Sequence, residues 1–295
     1  MKIIKNVFQA IIVLLMIALF IRGVLFLFGG STSYTSLSSG ADKVAVLDLS
    51  GVILETDVII KKFQELEGND KIKGYILRIN SPGGMVTPSQ QLYEYLLTVK
   101  KPLYVAMGAT AASGGYLVAL SGNRIYAMPS TVTGSIGVIM QVPNYASLYE
   151  KIGISQKIIK SGKFKDAGNG SRPMTQEEEK VLSDVVMDMY DQFVQSVSSR
   201  RHMSVESTKI LADGRIYTGR MARDNGLIDR IGSWQDVFLE MKQDLGISEL
   251  NYVEIEYESF SYWKKFFSKI DVFLTGAGYV NSFSRPAGFY YLIDL

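Results

Sequence analysis

The chain of 295 residues contains no cysteine. That excludes a thiol nucleophile, a disulfide framework and thiolate metal ligands. Histidine is almost as scarce, with His202 alone in Ser199-Arg200-Arg201-His202-Met203-Ser204, a polar stretch that reads as the surface-exposed end of a long helix. A Ser-His-Asp triad would have to recruit that one residue. A zinc site built without cysteine normally needs more than one imidazole. Net charge of one sign is lacking too: 31 Lys and Arg stand against 29 Asp and Glu, and no electrostatic argument points to nucleic acid. Apolar residues are plentiful, with 17 Tyr and 14 Phe among them. They suffice for the core of one large domain or two small ones.

The amino-terminal stretch has its own character. From Val7 to Phe28 the chain is almost uninterrupted Val, Ile, Leu, Met and Phe, preceded by Lys2 and Lys5. A run of ~20 apolar residues is long enough to cross a bilayer. It exceeds the ~7–15 residues of a signal-peptide core, and no small-x-small cleavage site follows closely. Arg22 lies near one end of the span, where a long cationic side chain can reach the headgroups. The lysines before the span predict a cytoplasmic segment 1–6, an anchor over 7–28 and a body outside the cytoplasm. Residues 29–43 are rich in Gly, Ser and Thr at their start and read as a tether. The expected arrangement is a single-pass protein of the inner (cytoplasmic) membrane with its body on the extracytoplasmic or periplasmic side.

The body reads as strands alternating with helices. Val44–Leu49, Tyr75–Ile79, Leu103–Met107 and Arg124–Met128 are apolar runs of strand length, and a helix is expected from Asp57 to about Leu66. Thr87-Pro88-Ser89-Gln90 has the pattern of a helix start, with Thr87 as cap, Pro88 first in the helix and Gln90 closing a capping box. Thr175-Gln176-Glu177-Glu178 predicts a second capping box, opening a long helix with Val181, Leu182, Val185, Met189, Phe193 and Val197 on one stripe. Alternation at this spacing implies βα units and a mostly parallel sheet.

Two residues stand out in that frame. Ser113, in Gly108-Ala109-Thr110-Ala111-Ala112-Ser113-Gly114-Gly115-Tyr116, lies where a strand hands over to a helix. There free amides and the helix dipole favour a developing oxyanion. On its own such a serine is more often a tight packing turn. Asn80-Ser81-Pro82-Gly83-Gly84 also follows a strand, and its glycines can turn N–H groups towards a bound carbonyl; an ordinary turn explains them equally well. Both glycine pairs fall at the strand ends of the expected sheet, the edge where open α/β folds bind ligands. A lysine with its ordinary pKa of ~10.4 is protonated near neutrality, so a lysine base needs burial and hydroxyl neighbours. Lys165 in Ser161-Gly162-Lys163-Phe164-Lys165-Asp166 is one candidate and Ser135 a candidate neighbour. Lys163 competes with it, and periodicity does not choose between the two.

Taken together, Ala-Ala-Ser-Gly-Gly-Tyr at 111–116, Asn-Ser-Pro-Gly-Gly at 80–84, Thr-Gly-Ser-Ile-Gly at 133–137 and Ser-Gly-x-x-Lys-Asp at 161–166 resemble the SppA-type signal peptide peptidases (protease IV). So does Gly214-Arg215-Ile216-Tyr217-Thr218-Gly219, followed by Ala222 and Gly226-Leu227-Ile228-Asp229. The resemblance runs from about Val44 to Gly232, with a single domain as in the short form of the family. It implies an α/β ClpP/crotonase-like fold of repeated βα units over residues 44–247 and a serine endopeptidase with a Ser-Lys dyad that needs no cofactor and no metal. It assigns Ser113 as nucleophile, Lys165 as general base, Ser135 beside the lysine, and the amides of Gly83 and Gly114, with Gly84 adjacent, to the oxyanion hole. Implied partners are cleaved signal peptides and other apolar peptides, membrane lipid through residues 7–28, and further copies of the chain in a ring-like homo-oligomer. Whether the dyad closes within one chain or between two stays open.

Residues 248–295 resemble the family only weakly. Phe260, Trp263, Phe266, Phe267, Ile270 and Phe273 share a helical stripe opposite Lys264, Lys265 and Lys269, which suits packing on a neighbour or lying on a membrane surface. The apolar run Gly288-Phe289-Tyr290-Tyr291-Leu292-Ile293 is a segment able to dock in an apolar groove, the substrate cleft included. Two other functions compete with peptide hydrolysis. One is acyl-CoA chemistry on the same fold, and the other is a membrane-tethered scaffold or quality-control binding protein without turnover.

Overall fold

The computed structural model describes residues 42–255 and 289–292. The expected anchor over 7–28 and the stripe from Phe260 to Phe273 lie outside the described residues. Among the described residues no helix is long and apolar enough to cross a membrane.

Strand β1 (Lys43–Ser50) leads into helix α1 (Asp57–Glu67), then β2 (Ile72–Ser81), the short β3 (Gly83–Met85), α2 (Val86–Leu97), β4 (Leu103–Ala112), α3 (Gly114–Ala119) and β5 (Arg124–Ala127). The chain continues through β6 (Val132–Gly134), β7 (Ile139–Met140), α4 (Ala146–Lys151), α5 (Gln176–Arg201), α6 (Val205–Leu211), β8 (Ile216–Thr218) and α7 (Gly219–Asp224). It closes with β9 (Arg230–Ile231), α8 (Trp234–Leu245), β10 (Asn251–Ile255) and β11 (Phe289–Leu292). The main sheet has the order β10-β1-β2-β4-β5-β9, with every pair on this path parallel. β6 continues the sheet beside the far end of β4, and β8 joins β6 antiparallel, so the sheet is mixed. β10 lies beyond residue 247 and still adds to the sheet edge, paired with β1.

Period-two alternation decides which core each strand residue joins. Ala45, Leu47 and Leu49 of β1 pack with Phe63, Leu92, Tyr116 and Phe193 on one face. Val44 and Val46 turn to the other face with Ile76, Tyr104 and Tyr126, covered by Val237 and Met241 of α8. Burial on both faces is what a parallel sheet requires. Arg78 holds the exposed end of the second face, pairing with Asp48 and Glu254 and lying 5.5 Å from the Trp234 ring centre.

Three local expectations fare differently. The capping box at Thr175 forms as written, with Thr175 accepting from the Glu178 N–H and the Glu178 carboxylate accepting from the Thr175 N–H. At Thr87 it does not: α2 starts at Val86, its cap position is Met85, and no side chain caps it. The reason is β3, whose last residue donates its N–H to the Ile53 carbonyl (2.8 Å) and so sets the helix start two residues earlier. Pro88 still fits, because first-turn N–H groups have no intrahelical partner. Gln90 instead hydrogen-bonds Glu94 one turn on. The stripe on α5 is buried only in its second half: Phe193, Val194 and Val197 are buried, whereas Val181 and Val185 are exposed.

Candidate active site

The sheet delivers two turns to one place. β2 and β4 are adjacent and parallel, with a register shift after Ile79 opposite Met107 that brings Ser81 opposite Ala111. Gly115 then packs so closely on β2 that a Cβ there would lie 2.8 Å from the Ser81 carbonyl oxygen. The two glycine pairs of the sequence are thus neighbours, held by a contact that only glycine permits.

Ser113 sits between β4 and α3 with φ 53° and ψ −120°. A non-glycine residue in left-handed backbone costs roughly 1–2 kcal/mol, and such strain persists only where surrounding contacts impose it. Here the Ser113 N–H donates to the Gly134 carbonyl at 2.7 Å, and the Ser113 carbonyl accepts from Leu117 at 2.9 Å. The side chain is 1% exposed, and its Oγ has no hydrogen-bond partner among the described residues. Gly114 opens α3, so its N–H has no intrahelical acceptor and remains directed out of the helix start beside Ser113.

Ser135 shares this geometry. β6 aligns Gly134 with Ala112 of β4, so the residues after them, Ser135 and Ser113, emerge side by side. Ser135 has φ 50° and donates its N–H to the Arg215 carbonyl at 2.8 Å. Gly134 precedes it at φ 78°, where a Cβ would stand 2.4 Å from the Tyr217 ring. Among the described residues three non-glycine positions have positive φ: Ser113, Ser135 and His202. His202 is explained as the left-handed cap of α5. The other two are the adjacent serines.

Gly83 and Gly84 form the facing wall. Ile53 clips them from the side, donating to the Gly83 carbonyl (2.9 Å). Gly84 lies so close that a Cβ would come 2.0 Å from the Ile53 carbonyl oxygen. The Gly83 N–H, at φ 102°, donates to the Ser81 Oγ at 3.1 Å. In this arrangement the Gly83 amide is occupied by Ser81, while the Gly114 amide has no intrahelical acceptor among the described residues. Neither Ser81 nor Ile53 stood out in the sequence as a site residue. Ser81 was visible inside the Asn-Ser-Pro-Gly-Gly motif, but Ile53 acts through its backbone, which no side-chain pattern signals.

Lys165 lies in the loop between α4 and α5, exposed, and its ammonium makes no hydrogen bond or ion pair with a described residue. Its neighbours are committed: Lys160 pairs with Asp166, Lys163 with Glu177, and Arg172 with both Asp166 and Glu178. Lys163 thus has a surface partner in the protomer, and Lys165 has none among the described residues. Lys165 and Ser113 are not hydrogen-bonded within the protomer. Apolar side chains around the loop stand open as well, including Leu148, Ile152, Ile154, Phe164 and Ile159, the last 91% exposed.

The loop is anchored to the start of α5 by Glu178, which is nearly fully buried. Its carboxyl is held down to about 2, first by the hydrogen bonds from Arg172 and then by the Thr175 N–H. Asp166 is also lowered, by Lys160 first and Arg172 second. A carboxyl whose folded value lies below its unfolded value of ~4.3 stabilises the fold above that pH and loses the contribution as pH falls through the folded value. Pepsin cleavage within residues 160–172, normalised to an unfolded control peptide and followed from about pH 5 downwards, is accordingly expected to rise progressively from about pH 4 as pH falls towards 2. Arg172→Ala should make cleavage faster already at pH 5 and flatten that pH dependence.

Comparison with known proteins gives the family. The model of Peptidase family S49 matches residues 96–248, and that of Clp protease matches residues 42–139. A protein of Enterococcus faecium named for the signal peptide peptidase SppA is 35% identical over 79% of this chain and 74% of its own length. The chloroplastic serine protease SPPA of Arabidopsis thaliana is 33% identical over 72% of this chain and 34% of its own length. Protease 4 of Haemophilus influenzae is 31% identical over 68% of this chain and 35% of its own length. With an S49 match across more than half its length, on a Clp protease-like α/β fold, the chain belongs to peptidase family S49 and is a serine protease of the SppA type.

Proposed function

We propose that the protein is a membrane-anchored endopeptidase that cleaves apolar, extended peptides, released signal peptides among them, with Ser113 as nucleophile and Lys165 as general base. The observation that carries the reading is the Ser113 hydroxyl: buried, without a partner, on strained backbone, beside the open Gly114 amide and Ser135. Strain and an unpartnered buried hydroxyl both lower stability, which suits a group kept for reaction with a bound substrate.

The chemistry follows from the positions. The neutral Lys165 amine takes the Ser113 proton as Oγ adds to the scissile carbonyl. The resulting oxyanion accepts from the Gly114 N–H and from the amides at Gly83 and Gly84, once Ser81 releases its hold. Collapse breaks the C–N bond, and the Lys165 ammonium returns its proton to the leaving amine. A water molecule, deprotonated by the same lysine, then hydrolyses the ester on Ser113, and the serine regains its proton.

Lys165 reaches Ser113 from a neighbouring copy in this reading. Support comes from the two halves of the dyad as they stand in one protomer: Ser113 lacks a partner, while Lys165 is exposed and unpaired among open apolar side chains. Covering that surface with another subunit would remove apolar area from water. It would also desolvate the amine, and burial favours a lysine's neutral form. Residues 7–28 anchor the assembly, with the body on the extracytoplasmic side. The Enterococcus faecium relative's name supports signal peptides as one substrate class.

Labelling with a serine-directed phosphonate tests the reading. One adduct per chain is expected, on Ser113, with loss of peptide cleavage in proportion. Absence of an adduct in an assembled, folded sample would favour the scaffold function instead.

A further inference from the structure

Ser81 ends β2 and is fully buried. Among the described residues its hydroxyl meets polar groups of Gly83 only. It accepts the Gly83 N–H at 3.1 Å. Its own donation would go to the Gly83 carbonyl, 3.5 Å away, which is the outer limit of a hydrogen bond. That carbonyl already accepts from the Ile53 N–H at 2.9 Å. Gly83 is thus clamped through both its polar groups, the carbonyl by Ile53 and the amide by Ser81. Ser81 itself has little room to drift. A Cβ on Gly115 would stand 2.8 Å from the Ser81 carbonyl oxygen and 3.3 Å from its Cβ. This contact pins Ser81 against the helix start that follows Ser113.

We infer that Ser81 is a built-in competitor for the oxyanion: its hydroxyl occupies the Gly83 amide at rest, and peptide hydrolysis hands that amide from Ser81 to the substrate oxygen. The competition rests on the peptidase reading of the site; the hold of Ser81 on the Gly83 amide does not. The exchange breaks no covalent bond and moves no proton between residues. A hydroxyl is a neutral acceptor, and a hydrogen bond to an ionised oxygen is roughly twice as strong. The amide therefore changes partner as negative charge develops on the substrate. A ground-state carbonyl is also neutral and gains little from the same exchange. Ser81 in this way makes the Gly83 half of the oxyanion hole answer to the transition state rather than to the bound substrate. It also serves the resting protein, because without it a buried N–H would lose its acceptor, at a cost in stability. Activity and stability pull on this residue in opposite directions.

Ser81→Ala tests the inference by removing the acceptor and leaving the Gly83 amide to the oxyanion. The usual net strength of a neutral hydrogen bond corresponds to about two- to tenfold in rate. In the full-length variant, kcat for an apolar fluorogenic peptide is expected to rise by about that factor, with KM unchanged and a lower midpoint of thermal unfolding. A residue that only shaped the turn would lose activity together with stability. Ser81→Cys keeps the shape but offers a weaker acceptor, so its kcat should fall between the two, and it carries the test if the alanine variant does not fold. Hydrogen exchange at the Gly83 amide, followed by mass spectrometry, reads the hold without turnover and should quicken about two- to tenfold in Ser81→Ala. A folded variant with kcat at or below that of the unsubstituted protein, or with unchanged exchange at Gly83, would overturn the inference. Faster exchange at Gly83 with no peptide cleaved by any form would uphold the hold on the amide and remove the peptidase reading instead.

Discussion

Ser113→Ala is expected to lower kcat for peptide hydrolysis on the order of 10⁶-fold, the scale seen when a serine nucleophile is removed. The substitution should leave the fold in place. Ser113 Oγ bonds to no described group, so no hydrogen bond is lost and no buried partner is stranded. The backbone makes a sharper statement. At φ 53° alanine keeps the left-handed strain, whereas glycine relieves it at roughly 1–2 kcal/mol. Ser113→Gly is therefore expected to be as inactive as the alanine variant and yet more stable, with a midpoint higher by about 2–8 °C in a domain of this size. A serine kept only to pack a turn would behave otherwise, because its removal would cost stability and leave hydrolysis intact. Thermal denaturation and peptide cleavage on the same three proteins separate the two roles.

Lys165→Ala is expected to lower kcat by about 10²–10⁴-fold, the usual contribution of a positioned general base. Stability of the protomer should hardly change, because the side chain is exposed and the loop's ion pairs run through Lys160, Lys163 and Arg172. The larger effect appears on mixing. When Ser113→Ala and Lys165→Ala chains are co-expressed in equal amounts, a dyad built within one chain is never complete. A dyad built from one subunit's serine and its neighbour's lysine is complete at about a quarter of the sites in a randomly assembled head-to-tail ring. The mixture should recover about that fraction of wild-type activity. Recovery no greater than the better single variant would place both groups in one chain and would require the loop between α4 and α5 to move towards Ser113.

Lys163 shows how far local pattern reaches. It and Lys165 stand two residues apart in one loop, and periodicity treats them alike. The resemblance to SppA-type peptidases favours Lys165, and in the structure Lys163 pairs with Glu177 at the surface. That pairing joins a loop residue to the first turn of α5, so it follows from where the loop settles on the helix. The two capping expectations divide in the same way. Thr175 and Glu178 are three residues apart and complete their box without outside help, whereas Thr87 lost its role to a bond between Met85 and Ile53.

By itself the sequence determined the alternation of strands and helices, the cap of α5, the placing of serine and glycines at strand ends, and the exclusion of thiol and multi-histidine chemistry. These depend on residue type and short spacing, which act within a turn or a strand. The tertiary structure alone decided that Gly115 packs on Ser81, that Ser113 and Ser135 emerge side by side on left-handed backbone, that Ser81 holds the Gly83 amide, and that β11 lies between β3 and β7. All but the local Ser81–Gly83 bond join segments far apart in the chain through backbone register and close approach, which side-chain periodicity does not encode.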